Sequence, residues 1–158
     1  LILNGNISFV KKGSEKLYLY INDTFELNGN PIVNENGNPG DVIIYYKGNK
    51  GLELTGNTKL VGSVYAERAN INCSGNGQIV GHIITGGEVV KIAGNAEADV
   101  KAIYAPNAHV EIGGNGSIRG SVIANSFEAG GNIEIKFDDS IMDTFPDIIT
   151  EYGDKGAD

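Results

Sequence analysis

The groups in this chain of 158 residues that could do chemistry are few: two histidines, one cysteine and 20 acidic residues. His82 and His109 stand far apart, with no His-x-x-x-His pair and no second cysteine beside them, so the spacing of a metal site is missing. Ser63 and Ser121 fall in the same outward phase as His82, one repeat to either side, but no acid is placed to complete a triad. Glu53, Glu111 and Glu128 share a strand phase with Asn72 and Lys91, and the adjacent pair Glu111 and Glu128 reads as mildly repulsive. Asp99 lies at an interruption in a strand pattern, where a solvated turn is expected. Asp138, Asp139 and Asp143 lack the glycine and spaced carboxylates of a calcium loop. Cys73 alternates with apolar residues and reads as a small buried hydrophobe. The glycine-rich turns precede strands, not helices, so no phosphate loop is present. The expectation is a protein without a catalytic constellation, a metal or a cofactor.

Composition points the same way. The chain has 23 glycines and 18 asparagines, about a quarter of its residues, and no tryptophan. Both types are poor in helix interiors, which excludes a helical bundle. Disorder is excluded as well, because 41% of the residues are apolar and many are β-branched. A net charge of −8 speaks against nucleic acid or an anionic membrane as the main partner. No apolar run is long enough to span a bilayer. The chain opens on Leu1-Ile2-Leu3 without a signal peptide or an initiator methionine, as expected of a fragment of a longer, anchored precursor.

The elements that must position these groups come from a repeat. Gly-Asn recurs at Gly5, Gly29, Gly56, Gly75, Gly94, Gly114 and Gly131, about every 19 residues in the central section. Before it stand Leu52-Glu53-Leu54, Ile71-Asn72-Cys73, Val90-Lys91-Ile92, Val110-Glu111-Ile112 and Phe127-Glu128-Ala129, which alternate with the period of a half-buried strand. After it, Leu60, Gly62, Val64 and Ala66 alternate, as do Ile79, Gly81, Ile83 and Thr85, and Ile118, Gly120, Val122 and Ala124. The run Ala96–Ile103 holds one extra residue, read as a bulge.

A unit this short cannot bury its own apolar face, so the units must stack. The predicted fold is all-β: a right-handed parallel β-helix, or β-solenoid, of about six or seven coils, with a short helical or irregular C-terminal tail. Leu52, Ile71, Val90, Val110 and Phe127 form one inward column; Leu54, Cys73, Ile92, Ile112 and Ala129 form the next. Asn57, Asn76, Asn95, Asn115 and Asn132 would stack as an amide ladder at the corners.

The β-solenoid is expected over 1–139, irregular over 1–51 and regular over 52–137, followed by an acidic tail over 140–158. In the irregular part Leu17–Ile21 and Val42–Tyr46 read as strands, and Asn34–Gly40 as a loop excursion. Ile133–Phe137 reads as the last strand. From Asp138 onward seven acids stand against Lys155 alone, a net of −6, and Ile141, Met142, Phe145, Ile148 and Ile149 give this tail an apolar side. A short helix is expected before Pro146. If Val64, Ile83, Ile103 and Val122 point inward, then Tyr65, Ile84, Tyr104 and Ile123 form an outward stripe about 15 Å long. Such a patch implies either a covering segment, from the N-terminal residues or the tail, or a partner-binding groove.

Several segments carry a family resemblance. Leu17–Asn30 is similar to the opening of a β-solenoid domain of bacterial PilX-type, type IV pilus-associated proteins. Gly62–Ala66 and Ala102–Ala108 resemble its "G-x-I-Y-A-P-N-A" segment, Gly114–Ala124 its "G-N-G" coil, and Phe137–Ile141 its ending. Glu67-Arg68 departs from the usual Pro-Asn, and Lys136 stands where histidine is common. The resemblance implies an extracellular or cell-surface ectodomain, minor-pilin-like, with a structural or adhesive role. Its partners would be other pilin-like subunits or surface components, or a host or carbohydrate ligand, and its membrane attachment an N-terminal anchor outside this chain. A bactofilin-like polymer-forming scaffold and a carbohydrate-active β-helix are the alternatives.

Overall fold

The structure is a computed structural model that describes residues 1–136, and among these the side chains of 97–101 are not described. It is all-β apart from one 3-10 turn, and its strands pair in parallel throughout. The chain winds as a β-solenoid with three strand faces.

The first face stacks β1 (Ile2–Gly5), β4 (Glu26–Gly29), β7 (Leu52–Leu54), β10 (Ile71–Cys73), β12 (Val89–Ile92), the end of β13 (Glu97–Gly114) and the end of β15 (Ser121–Gly131). The second stacks β2 (Ser8–Phe9), β5 (Ile32–Val33), β8 (Lys59–Val61), the start of β11 (Gln78–Thr85), the start of β13, β14 (Ser117–Arg119) and β16 (Glu134–Lys136). The third stacks β3 (Leu17–Ile21), β6 (Val42–Tyr46), β9 (Ser63–Ala66), the end of β11, the middle of β13 and the start of β15.

The register puts Leu52, Ile71, Val90 and Val110 in one column and Leu54, Cys73, Ile92 and Ile112 in the next, all fully buried. Each such side chain contributes about 1.5–3 kcal/mol by leaving water. Val64, Ile83 and Ile103 form the corresponding third-face column. The extra residue falls where expected: Gly81 pairs with Val100 and His82 with Ala102, so Lys101 is bulged out of register.

Within the irregular first coils, residues 1–51, the rungs themselves are regular: β1 pairs with β4 residue for residue and β3 with β6 likewise. What is irregular is inserted chain between rungs, before β3 and before β6. The second insertion does not project freely. Asn34 is buried, its side-chain amide donates to the Val61 carbonyl at 3.2 Å, and the short helix η1 (Pro39–Asp41) rests against β11. The inward columns also lose their burial in the last coil. Phe127 continues the Val110 column yet is 43% exposed, and Ala129 is exposed, because among the described residues no further coil packs beneath them. Of the expected strand Ile133–Phe137, Glu134–Lys136 is β16, and Phe137 lies outside the described residues. The predicted helix before Pro146, the apolar side of the tail and the Asp138–Asp139–Asp143 cluster lie outside the described residues.

At the corner between the first and second faces the Gly-Asn dipeptides form the expected ladder, and it is longer than expected. The side-chain amides of Asn30, Asn57, Asn76, Asn95 and Asn115 each donate to the Oδ1 of the preceding coil's asparagine, beginning at Asn6, over 2.8–3.2 Å. Asn132 joins through its backbone, donating to the Gly114 carbonyl at 2.9 Å. Each of these glycines has a positive φ, and from Gly29 onward an added Cβ would press on the preceding coil's glycine. At Gly94 φ is +78°, and a Cβ would lie 2.9 Å from the Gly75 carbonyl oxygen.

Candidate functional site

The alternation in β3, β6, β9, β11, β13 and β15 turns every second residue of the third face outward. The register aligns Tyr20, Tyr45, Tyr65, Ile84, Tyr104 and Ile123 across six successive coils. Tyr65, Ile84, Tyr104 and Ile123 are thus brought together as the alternation predicts, and Tyr20 and Tyr45 extend the stripe by two coils, to about 24 Å at the inter-strand spacing. Strand alternation could have found them: Tyr20 follows Leu19 and Tyr45 follows Ile44 just as Tyr65 follows Val64. The inserted chain lengthened the intervals and hid the match.

The stripe has two chemical halves. In the first three coils the rings stack on one another, Tyr20 on Tyr45 at 5.0 Å and 11°, Tyr45 on Tyr65 at 5.1 Å and 28°. Their faces cover each other, so edges and phenolic hydroxyls point outward. Burial, and then the neighbouring phenols, raise the Tyr65 pKa to about 12 and shift Tyr45 upward for the same causes. Toward the last coil the stripe is apolar, with Ile123 48% exposed. A sugar-binding platform needs open ring faces; the stack of three leaves only its two end faces, on Tyr20, 71% exposed, and on the half-buried Tyr65.

Beside the stripe runs a second outward column: Tyr18, Ile43, Ser63, His82, Ala102 and Ser121. Ser121 is two coils from His82, with Ala102 between, so it is not His82's neighbour. Ser63 is adjacent, but its hydroxyl accepts the backbone N–H of His82 at 3.2 Å, and both residues are buried. Neither serine is placed for nucleophilic attack.

The ionisable groups of the first face stand apart from this stripe. Glu53, Asn72, Lys91, Glu111 and Glu128 align as expected. The expected repulsion between Glu111 and Glu128 is relieved, because Glu111 pairs with Lys91 at 2.7 Å and Glu128 turns toward His109, 3.7 Å from its Nε2. Asn72 donates to Glu53 at 2.7 Å. Sequence reasoning missed one grouping: His109 Nδ1 lies 2.8 Å from Ser126 Oγ, so serine, histidine and glutamate meet on one surface. The only signal was that Ser126 and Glu128 share a strand phase one coil after His109. The glutamate contact is longer than a hydrogen bond and all three groups are solvated, which is the setting of a surface cluster, not of an activated nucleophile.

Cys73 is buried, and desolvation raises its thiol pKa to about 12, which keeps it protonated and inert. Asp99 pairs with Val80 through its backbone, one residue before the bulge region. Among the described residues no three His, Cys, Asp or Glu side chains gather closely enough to hold a metal ion, and no helix is long and apolar enough to cross a membrane.

Residues 1–102 and 89–144 match the family described as a domain of unknown function, DUF7305. The chain belongs to the DUF7305 family. The matches overlap over residues 89–102, as stacked repeats allow, since one coil can align with more than one other. No curated protein and no solved structure matches the chain.

Proposed function

We propose that this DUF7305 domain is a non-catalytic β-solenoid rod of the bacterial cell surface, a structural or adhesive ectodomain of the minor-pilin-like, type IV pilus-associated kind. The supporting observation is the single parallel stack from β1 to β16, a stiff body whose ionisable first face is occupied in pairing its own charges. Such a rod resists proteolysis because its backbone hydrogen bonds are shared between coils. The crests Glu35–Asn36 and Asn49–Lys50 are exposed and supply contact points, while the bases of both loops are packed at Asn34 and Gly48. The resemblance in Leu17–Asn30 and Ala102–Ala108 supplies the pilus context and the surface location. Subunits of the same fibre or a surface ligand are the partners under this reading.

The test is immunogold labelling of intact cells with antibody to the domain, together with mechanical shearing of surface fibres. Label on unpermeabilised cells and domain in the sheared fraction support the reading; label only after permeabilisation overturns it. The exposure of Leu1, Ile2, Ile7 and Val10 on the first coil favours a second reading, an end-to-end polymer. Negative-stain images of the purified chain decide that point, since filaments would favour the polymer and separate short rods the ectodomain.

A further inference from the structure

We propose that Asn22 is the acceptor of an N-linked glycan whose first sugar packs on the open face of Tyr20. The chain holds four Asn-x-Ser/Thr triplets, Asn6-Ile7-Ser8, Asn22-Asp23-Thr24, Asn72-Cys73-Ser74 and Asn115-Gly116-Ser117, the pattern that N-glycosyltransferases recognise. In a chain with 18 asparagines the triplet alone carries little. The fold separates one of the four from the rest.

A transferase must draw the triplet into its own cleft, so an acceptor has to lie outside the strand ladders with its amide nitrogen unengaged. Asn72 sits inside β10, and its amide donates to Glu53 at 2.7 Å. Asn115 donates to Asn95 at 3.0 Å, and Ser117 is the first residue of β14. Asn6 holds the Asn30 amide on its oxygen at 2.8 Å, and Ser8 already belongs to β2. Asn22, Asp23 and Thr24, by contrast, all lie between the end of β3 at Ile21 and the start of β4 at Glu26. Asn22 is exposed, and among the described residues its side chain makes no hydrogen bond.

A second, independent observation is the ring two residues earlier. Tyr20 is 71% exposed, with one face on Tyr45 at 5.0 Å and the other beyond the stack. The other three triplets have no aromatic residue at this position, where Asn4, Asn70 and Gly113 stand. Two residues of extended chain span about 7 Å, so a sugar on the Asn22 amide reaches the Tyr20 ring. The C–H face of a pyranose packs on an open aromatic face, and both leave water. The donor is a sugar diphosphate, linked to a nucleotide or to a lipid. The bond from sugar C1 to Asn22 Nδ2 forms as the bond from C1 to the diphosphate oxygen breaks. The diphosphate leaves with the electron pair, and one amide proton passes to a base of the transferase. The inference goes beyond the surface rod and does not depend on it, since nucleotide-linked donors are met inside the cell and lipid-linked donors outside.

The experiment is peptide mapping by mass spectrometry of the full chain purified from the cells that make it. The peptide with Asn22 is expected to carry sugar, a single residue from a nucleotide-linked donor or an oligosaccharide from a lipid-linked one. Asn6, Asn72 and Asn115 should stay bare. Thr24→Ala should remove the sugar and Thr24→Ser restore it, both leaving Asn22 in place. Nitration of Tyr20 by tetranitromethane, read against Tyr104, should be several-fold slower in the glycosylated chain than in Thr24→Ala. A bare Asn22 overturns the proposal, as does sugar on Asn72 or Asn115 in its place. Equal nitration of Tyr20 in the two chains overturns the packing on its ring.

Discussion

The glycine of each corner serves two purposes that mutation can separate. Gly5 and Gly94 both adopt positive φ, +92° and +78°. Around Gly5 a new Cβ would meet nothing within 4 Å, whereas at Gly94 it would lie 2.9 Å from the Gly75 oxygen and 3.1 Å from its nitrogen. Alanine at either site incurs the left-handed backbone cost, about 1–2 kcal/mol. That is offset by about 0.4–1 kcal/mol from the stiffer unfolded chain. Gly5→Ala is therefore expected to lose about 1 kcal/mol. Gly94→Ala must in addition push apart two backbones fixed in register, an overpacking cost of about 1–3 kcal/mol. Its total loss is about 2–4 kcal/mol. Urea unfolding of the full chain, with the slope unchanged, reads the difference. Gly131→Ala controls for position, since Gly131 sits in the last coil with its Cβ aimed at the Gly114 oxygen. If Gly94→Ala loses no more than Gly5→Ala, close stacking of the corners is not what demands glycine, and the reasoning fails.

Other expectations follow from the same geometry. Ile83→Ala, in the middle of a fully buried column, should lose about 2–5 kcal/mol in urea unfolding. Asn76→Ala removes both its donor bond to Asn57 and its acceptor bond from Asn95. It should lose about 1–2 kcal/mol, and more than Asn115→Ala, which removes the bond to Asn95. Tyr65 and Cys73 have folded pKa values raised to about 12 from 10.0 and 9.0. The folded chain therefore holds protons that the unfolded chain releases, so stability is unaffected below pH 9 and falls as pH rises from 9 toward 12. Unfolding midpoints measured between pH 8 and 11 check the sign, and iodoacetamide should leave Cys73 unmodified in the native protein at pH 8.

Much of the architecture was legible in the sequence because a solenoid writes each structural position many times. Alternation gave the phase of Leu52–Leu54 and of every later first-face strand, and the one-residue excess near Lys101 gave the bulge. The Gly-Asn dipeptide was informative only within that repeat. Gly37-Asn38 and Gly48-Asn49 carry the same dipeptide outside the ladder, Gly37 within the inserted chain and Gly48 packed against Tyr46 and the Asp23 carbonyl. The rungs β1, β2, β4 and β5 were missed because they are short, two to four residues, and the intervening insertions break the period. The site was half legible. Its apolar half follows from strict 19–20-residue spacing, while Tyr20 and Tyr45 needed the register to be seen. The meeting of His109 with Ser126 and Glu128 depends on rotamers and on neighbours in space, which a linear pattern does not encode.

The asparagine ladder also has a direction. Every side-chain amide described in it donates toward the earlier coil, and the backbone N–H of the same asparagine donates toward the earlier glycine carbonyl, as in Asn76 to Gly56 and Asn95 to Gly75. Reversing one amide would set donor against donor on one side and acceptor against acceptor on the other, so the row turns together or not at all. At this corner each coil thus presents two acceptors, the asparagine Oδ1 and the glycine carbonyl, to the coil that follows it. The corner row therefore gives the rod one polarity, kept at every step from Asn30 to Asn115, so that its two ends are chemically unlike at this corner.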